Sequence, residues 1–247
     1  MRQRFLLYAF NLFLLVPLSS HGVQYHFVDV NAHPLGYYDE AGKVDGVAVE
    51  LFTTVMRNLG HLVTIELMPG NRVLHMLKEG RADGVPFIRK TSERQAFLDY
   101  CETPLLTENL FFYSRGSQPF DFNGDLAQLQ GVEIATILGD SHGEAFTKMK
   151  NTLSIIEVNS IEASFSMLLK NRVDVVLSTD LRAEKPLSEM KFYNIHRSSH
   201  PLDSLPLYVA FSKARKLEAL RDDFDRELKR LRQSGQTEAI LKRWLSQ

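Results

Sequence analysis

Cysteine is nearly absent from this chain of 247 residues, which contains only Cys101. A single cysteine cannot form an intrachain disulfide, so the chain is not a disulfide-stapled scaffold even in an oxidising compartment. Stability must therefore come from packing. The length is sufficient for one large domain or for two lobes of about 100 residues each.

The sequence also lacks an excess of charge of either sign, because 29 basic and 30 acidic residues give a formal net charge of −1. Nucleic-acid binding demands a clustered basic face, so we exclude nucleic acid as a partner. The P-loop, the dinucleotide glycine pattern and the Gly-x-Ser-x-Gly motif of hydrolases are absent as well. We therefore expect no cofactor.

The apolar run at residues 5–18 is too short to cross a bilayer, which takes roughly 20 residues. Arg2 and Arg4 precede this run, and small residues at positions 20 and 22 follow it. This pattern predicts a signal peptide over residues 1–22, cleaved after Gly22. A permanent membrane anchor is the alternative. No cysteine stands at the cleavage site, so we expect no lipid attachment there.

After this segment, strand-like runs alternate with helical patterns, which is typical of α/β architecture with largely parallel sheets. The first series has strands at 24–30, 63–67 and 82–88, with helices at 47–59 and 71–79. The second has strands at 132–138, 154–158 and 173–178, with helices at 144–150 and 161–170. Val47, Leu51, Val55 and Leu59 fall on one helical face, and Gly60 follows as a stop.

Two segments cross between these series. The first, residues 104–125, contains a strand-like stretch at 109–114, and the second lies at residues 201–206. A strand at 207–212 and two helices follow the second segment. The first helix, 216–233, carries an apolar stripe, and Thr237 is expected to cap the last one. This order predicts two lobes, residues 23–107 with 207–247 and residues 108–206, joined by a two-segment hinge that closes on a ligand.

Several short motifs occur in a characteristic order: Pro34 with residues 37–46 (YYDEAGKVDG), residues 77–84 (LKEGRADG), 91–94 (TSER), 129–132 (LQGV), 139–141 (GDS), 171–174 (NRVD) and 234–235 (SG). In this order and spacing, over about residues 25–244, the chain resembles the bacterial extracellular solute-binding proteins of family three. The resemblance implies the two-lobed, type II periplasmic binding fold. It also implies a monomer, free in the periplasm, that captures a small anionic or zwitterionic solute and docks on an ABC-type permease or a sensor.

The resemblance also implies site residues. Arg94 matches the arginine that forks onto the ligand's carboxylate, and a guanidinium suits that role because it gives two parallel hydrogen bonds. A surface pair of Arg94 with Glu93 or Glu102 is the alternative. Ser141 matches a small hydroxyl residue at a helix start, where it could equally be a plain cap. Asp180 matches the family's aspartate for the ligand's amino group but falls one residue late, so that Thr179 occupies the strict position.

Other positions depart from the family pattern. Phe87 and Arg89 stand where small hydroxyl residues are usual, and Arg89 would bring a second cation close to Arg94. Ala32 replaces an aromatic platform, for which Tyr37, Tyr38 or Phe87 could substitute. At residues 69–72, Gly70 removes a tryptophan while Arg72 remains. We keep Asp29, Tyr37, Arg72, Phe87 and Arg89 as further ligand-binding candidates. These departures indicate a pocket unlike that of a standard amino-acid receptor.

Two further readings stay open. An enzyme on the same fold, similar to cyclic-acid dehydratases, would need a general acid or base such as Asp29, Glu102 or His142. A ligand-sensing module for a membrane receptor is the other. His196 and His200 have a spacing seen in some metal sites, but no cysteine or carboxylate cluster accompanies them, so we predict no metal.

Overall fold

The computed structural model describes residues 23–117, 120–138, 142–189 and 194–245. The strands in this part of the chain are β1 (Gln24–Asp29), β2 (Tyr37–Tyr38), β3 (Val44–Asp45), β4 (Leu62–Leu67), β5 (Gly84–Ile88), β6 (Leu98–Tyr100), β7 (Leu106–Arg115), β8 (Glu133–Ile137), β9 (Ser154–Val158), β10 (Val175–Thr179), β11 (Ile195–Arg197) and β12 (Asp203–Ser212). The helices are α1 (Val47–Asn58), α2 (Gly70–Lys78), α3 (Ser92–Gln95), α4 (Glu144–Met149), α5 (Ile161–Leu169), α6 (Asp180–Glu189), α7 (Glu218–Gln233) and α8 (Gln236–Trp244). The predicted α/β class is confirmed.

The main sheet runs in the order β4-β1-β5-β12-β7-β10-β8-β9, with β6 beside β12 and β11 beside β7. In its first half, β1 pairs in parallel with β4 and β5, and in its second half β8 pairs in parallel with β9 and β10. These parallel pairs are the expected product of strand–helix–strand units. The sheet as a whole is mixed, because β7 and β12 join it antiparallel to their neighbours.

The two long strands β7 and β12 belong to both halves of the sheet. Their first residues pair with each other, from Leu106 opposite Leu207 to Leu110 opposite Asp203. Beyond that stretch β7 pairs with β10 and β11, whereas β12 pairs with β5 and β6. Both strands begin earlier than the sequence predicts. Pro206, at the end of the predicted crossing segment 201–206, lies inside β12 opposite Thr107, because a strand accepts proline at a position that needs no N–H donor.

The first half of the sheet is covered by an aromatic core. Phe27 of β1 packs on Phe52 of α1 with ring centroids 4.5 Å apart, and Phe52 stacks on Phe224 of α7 at 5.6 Å. The predicted stripe of α7 is confirmed, since Leu220, Phe224, Leu228 and Leu231 are buried. The apolar face of α1 and the stripe of α7 therefore share one core.

The second half of the sheet has a core on each face. Residues of β7 alternate between them, with Leu110 and Phe112 in one cluster and Phe111 and Tyr113 in the other. This is the period of two that a strand imposes on its side chains. Helix α5 contributes Phe165 to the second cluster. Both faces of this part of the sheet are thus closed to water.

The start of α1 requires glycine. Gly46 has a φ of 134°, which favours glycine, and a Cβ there would lie 2.4 Å from the carbonyl oxygen of Leu35. The family-like motif that ends at Gly46 therefore has a steric cause. It lets α1 begin directly against the loop that follows β1.

Two predicted helix starts were wrong. The last helix, α8, begins at Gln236 after Gly235, so Thr237 lies inside its first turn, where its hydroxyl donates to Glu238 instead of capping the helix. Helix α7 begins at Glu218 and not at residue 216, because Lys216 has a left-handed φ of 54°. In both cases a local turn sets the boundary, and the apolar pattern does not reveal it.

Replacing Phe224 by alanine should reduce the free energy of unfolding by about 3–5 kcal/mol, because it leaves a cavity between α1, α7 and β12. Phe224 has no exposed surface. Gln233→Ala on the same helix removes an exposed side chain and should change stability by less than about 0.5 kcal/mol. Urea denaturation followed by circular dichroism measures both. Equal, small effects would show that the aromatic core does not stabilise this half.

Candidate functional site

A cavity of about 350 Å³ opens at the carboxyl ends of β1 and β5. Residues after these two strands, the start of α2, Glu108 of β7 and Arg182 of α6 line it. An adjoining cavity of about 500 Å³ shares Ala32 and Arg182 and extends to residues 159–162 in the second half. Together the two form a groove between the halves of the sheet. Open α/β sheets characteristically bind ligands outside the carboxyl ends of their strands.

Arg94 lines the first cavity from the short helix α3. The Thr91 hydroxyl caps this helix by accepting the Arg94 backbone N–H at 3.3 Å. The Arg94 side chain is half-buried, and its Nη1 donates to the Arg89 carbonyl oxygen at 3.0 Å. The Tyr100 hydroxyl donates to the same oxygen at 3.2 Å. Toward the described residues the guanidinium makes this one hydrogen bond, so that four of its five N–H groups are not used by them.

Phe87, Arg89 and Asp29 line the same cavity as Arg94. Phe87 is buried and forms part of the cavity wall. Its ring packs so closely on Gly36 that a Cβ at position 36 would lie 2.8 Å from Phe87 Cε1. Arg89 is half-buried at the end of β5. The structure therefore brings four of the predicted site residues around one cavity.

Asp29 is 2% exposed, and its carboxyl is hydrogen-bonded to backbone N–H groups. Its two oxygens accept the N–H groups of Val30 at 2.8 Å and of Phe87 at 3.0 Å, which ties the end of β1 to β5. Burial raises the pKa of the Asp29 carboxyl well above its usual range, although both hydrogen bonds oppose the shift. Asp29 therefore shapes the cavity wall.

Glu108, which was not predicted as a site residue, is a second buried carboxyl in this cavity. It accepts a hydrogen bond from the Thr179 hydroxyl at 2.7 Å. Burial raises its pKa, while the positive charges of Arg182 and Arg89 act in the opposite direction. The sequence does carry a signal: Glu108 has the same strand parity as the apolar Leu106, Leu110 and Phe112.

No helix was predicted over residues 180–189, so Arg182 of α6 was missed as well. The same arginine lines both cavities of the groove. Among the described residues, Arg182 and Glu108 are what the segment 108–206 contributes to the smaller cavity. Because α6 directly follows β10, the positively charged side chain of Arg182 lies in the groove between the halves.

Thr179 and Asp180 do not line these cavities. Asp180 Oδ1 and Oδ2 accept the backbone and side-chain N–H groups of Asn109, both at 3.0 Å. Asp180 thereby joins the start of α6 to β7. Thr179 is buried and contacts the site through Glu108.

The other predicted site residues lie elsewhere. Tyr37 lines a third cavity, of about 540 Å³, between the 33–37 loop, α6 and Trp244, which shares His33 and Lys185 with the 500 Å³ cavity but does not contain Arg94. Its ring packs on His33 at 4.6 Å and meets Trp244 edge-on at 6.4 Å. Arg72 is exposed on α2 and does not line the cavity that holds Arg94. Ser141 lies outside the described residues.

The three acid–base candidates are not assembled in one cavity. Glu102 is exposed and lies 3.6 Å from Lys229, and His142 is buried beside the Thr136 hydroxyl. Only Asp29 reaches the groove. Within the described part of the chain, no three potential metal ligands cluster, and no helix has the length and apolar character to span a membrane.

A groove between two α/β halves that are joined by a pair of crossing strands defines a class, the two-lobed solute-binding proteins. Residues 26–247 match the family model described as bacterial extracellular solute-binding proteins, family 3. The chain belongs to this family, and the resemblance predicted from the sequence motifs is confirmed. Its solute-binding role follows from that membership.

Individual relatives are distant in sequence but similar in fold. The amino-acid-binding protein AabA of Dichelobacter nodosus is 24% identical over 219 residues, which cover 85% of this chain and 83% of the relative. The L-cystine solute receptor of Neisseria gonorrhoeae, in an unliganded open conformation, aligns with a TM-score of 0.71 at 19% identity, over 92% of this chain and 94% of the receptor. A histidine kinase sensor domain with similarity to periplasmic binding proteins aligns at 0.70 and 20% identity, over 91% and 96%. The type II periplasmic binding fold is thereby confirmed.

Replacing Glu108 by glutamine should stabilise the protein increasingly as the pH rises. A carboxyl whose pKa is raised on folding holds its proton more tightly in the folded state. Wild-type stability therefore falls from the unfolded-state pKa, near 4.5, upward through the folded-state value. Glutamine keeps an acceptor for Thr179 and cannot ionise.

The measurement is the difference in unfolding free energy between Glu108→Gln and wild type at several pH values from 4.5 to 8. The titration of Asp29 and of the remaining groups is common to both proteins and cancels in this difference. Glu102→Gln, at a side chain 83% exposed, is the matched control and should give a flat difference. A flat profile for Glu108→Gln would contradict the burial of its carboxyl.

Proposed function

We propose that this protein captures a small carboxylate-bearing solute, an amino acid or a related acid, in the groove between its lobes and releases it unchanged. The proposed lobes are residues 23–107 with 207–247 and residues 108–206. The observation that carries the proposal is a cavity lined by Arg94 and Arg89 in a chain of the solute-binding family.

The physical argument starts from Arg94. Its guanidinium is held by the Arg89 carbonyl oxygen and retains N–H groups that can fork onto a carboxylate. A cavity of about 350 Å³ is of the size that small-molecule sites have. The relative AabA is named an amino-acid-binding protein, which supports the same ligand class here.

The ligand's amino group would face Glu108 rather than Asp180. Both oxygens of Asp180 are engaged by Asn109, whereas Glu108 lines the cavity. A charged ammonium beside Glu108 would favour the ionised carboxylate and offset the cost of its burial. The departure from the family pattern at position 180 therefore shifts amino-group recognition to a neighbouring strand.

Ligand capture would shift the protein toward a closed form. A solute that contacts Arg94 and Arg182 bridges the lobes, so it binds the closed arrangement better and increases its population. The strands β7 and β12 form the proposed hinge. The monomeric closed form would then dock on an ABC-type permease in the membrane, or on a sensor.

The proposed location is the periplasm. The supporting observations are the signal-peptide pattern of residues 1–22 and the membership of an extracellular family. No lipid anchor is proposed. The amino-terminal sequence of the protein purified from the periplasm tests the cleavage after Gly22.

A thermal-shift screen over amino acids and dicarboxylates should identify a ligand that raises the unfolding temperature. A ligand at 100 times its Kd contributes about 2.7 kcal/mol. Arg94→Ala should weaken binding about 100-fold, because it removes a charge-assisted pair. Arg226→Ala, an exposed arginine of α7, is the control and should bind as wild type does. Unchanged binding by Arg94→Ala would refute the assigned site.

Intrinsic fluorescence should report closure without a label, because Trp244 is the single tryptophan. It lines the cavity that α6 also lines, through Leu181 and Lys185, so a movement of the second lobe changes the surroundings of its indole. We expect the emission to shift when the ligand identified by the screen is added, and the shift in Arg94→Ala to need about 100-fold more ligand. A saturating ligand that leaves the emission of wild type unchanged would argue against movement of α6.

A further inference from the structure

One backbone oxygen connects the arginine of the candidate site to the strand behind it. The Arg89 carbonyl oxygen accepts Arg94 Nη1 at 3.0 Å and the Tyr100 hydroxyl at 3.2 Å. A carbonyl oxygen has two lone pairs, so these two donors use its accepting capacity. Arg94 lines the 350 Å³ cavity, whereas Tyr100 belongs to β6 and is not among the residues that line it. The Tyr100 hydroxyl therefore acts on the cavity through this shared oxygen.

The Tyr100 ring is itself held in place. It is 7% exposed, and Tyr100 stands opposite Ala210 in the pairing of β6 with β12. The ring meets that of Tyr208 edge-on, with the centroids 6.2 Å apart. The Lys90 ammonium lies 5.6 Å from the centroid of the Tyr100 ring and 5.8 Å from that of Tyr208, within the range of cation–π attraction. The residue next to Arg89 is thus held by the same ring whose hydroxyl binds Arg89.

The Tyr100 hydroxyl remains a donor at neutral pH. Burial raises its pKa to about 12, while the positive charge of Arg94 and the backbone N–H of Thr91 act in the opposite direction. A phenol with this pKa keeps its proton near neutrality, so it can donate to the Arg89 oxygen. The effect of Arg94 on this pKa agrees with the short path between the two groups through one oxygen.

Two hydrogen bonds set the position of Arg94. The Thr91 hydroxyl accepts the Arg94 backbone N–H at 3.3 Å and caps α3, and the Arg89 oxygen fixes the end of the side chain. An arginine side chain has several rotatable bonds, and ordering them on binding reduces affinity unless the free protein has already ordered them. Removing the Tyr100 hydroxyl takes away a bond that orients the Arg89 carbonyl group, which then anchors Arg94 less firmly.

We propose that Tyr100 is a positioning residue of the binding site, whose hydroxyl orients the Arg89 carbonyl oxygen so that this oxygen holds the Arg94 guanidinium in place for a carboxylate. This proposal rests on the proposed function, because it takes Arg94 as the carboxylate-binding residue. It adds a residue that lies behind the cavity wall. Tyr100 contributes to affinity by limiting the freedom of Arg94 in the unliganded protein. A hydroxyl that only completes a hydrogen bond of the fold has no such effect on Arg94.

The first test needs no ligand. In protein labelled with ¹⁵N-arginine, the relaxation of the Arg94 Nε–H group reports how firmly the guanidinium is held, and Arg94→Lys identifies its signal. Tyr100→Phe keeps the ring and removes the hydroxyl, and it should lower the order parameter of this group by about a third, roughly the difference between rigid and flexible groups. The Arg115 signal should not change, because that guanidinium binds the Leu169 carbonyl oxygen in the other half of the sheet. An unchanged order parameter for Arg94 would overturn the proposal.

Tyr208→Phe is the matched control. Tyr208 lies in the same cluster as Tyr100 and Lys90, and its ring remains in the variant. The hydroxyl that is removed is not one of the two donors to the Arg89 oxygen. The order parameter of Arg94 should therefore stay at its wild-type value. An equal loss of order in both variants would show that the packing of the cluster, rather than the hydrogen bond, holds Arg94, and would also refute the role of the hydroxyl.

The second test measures affinity by isothermal titration calorimetry. The probe is the compound that gives the largest shift among the amino acids and dicarboxylates of the thermal-shift screen. Tyr100→Phe should weaken its binding by about 10-fold in otherwise wild-type protein, but by less than about 2-fold when combined with Arg94→Ala, because the group that Tyr100 positions is then absent. A similar loss in both backgrounds, or no loss in either, would contradict the positioning role.

The outcomes separate this proposal from the proposed function. If no compound of the screen binds, the proposed function fails, whereas the relaxation of Arg94 still decides whether Tyr100 positions it. If Arg94→Ala weakens binding and Tyr100→Phe does not, solute capture stands and the role of Tyr100 is refuted. If Arg94→Ala binds as wild type does, the assigned site is wrong, and the positioning role is refuted with it.

Discussion

The antiparallel pairing of β7 with β12 is the constraint on which the structure depends. Over five residues the two strands are each other's partners, and beyond them each continues into a different half of the sheet. Glu108 stands opposite Leu205 in the middle of that stretch. Its carboxyl accepts a hydrogen bond from Thr179 of the second half. The positive charges of Arg89 and Arg182, one from each half, act to lower its pKa. The residue that joins the halves structurally is therefore also part of the cavity wall.

Such a position is costly for a carboxyl. An ionised group loses its hydration on burial, and a hydrogen bond from a neutral hydroxyl restores only part of it. Asp29 is likewise a buried carboxyl, and its oxygens accept hydrogen bonds from two backbone N–H groups. Apolar residues at both positions would avoid that penalty but would remove the acceptors of the Val30 and Phe87 N–H groups and of the Thr179 hydroxyl. Functional sites commonly retain such unfavourable groups. The two buried carboxyls are consistent with a cavity selected for what it binds rather than for stability.

The sequence predicted those features that follow from local periodicity. These features are the inward face of α1, the apolar stripe of α7 and the alternation of strands with helices. Each rests on apolar positions that recur over many residues, so no single position decides the prediction. Arg94 was predicted through the family resemblance of the motif at residues 91–94, and the structure places it on the cavity wall. Glu108 and Arg182 have no such local signature. The meeting of β7 with α6, which are distant in sequence, brings both residues to the cavity wall.

Asp180 illustrates why residue type alone does not transfer a role. Strand β10 ends at Thr179 and α6 begins at Asp180, so the aspartate lies at the helix start and faces Asn109 of β7. Residues two apart on a helix point to opposite sides, and Arg182 accordingly faces the groove. The side of this helix start that faces the groove therefore carries a cation, and the side that faces β7 carries the anion. The position at which α6 begins thus determines that Arg182, and not Asp180, lines the groove.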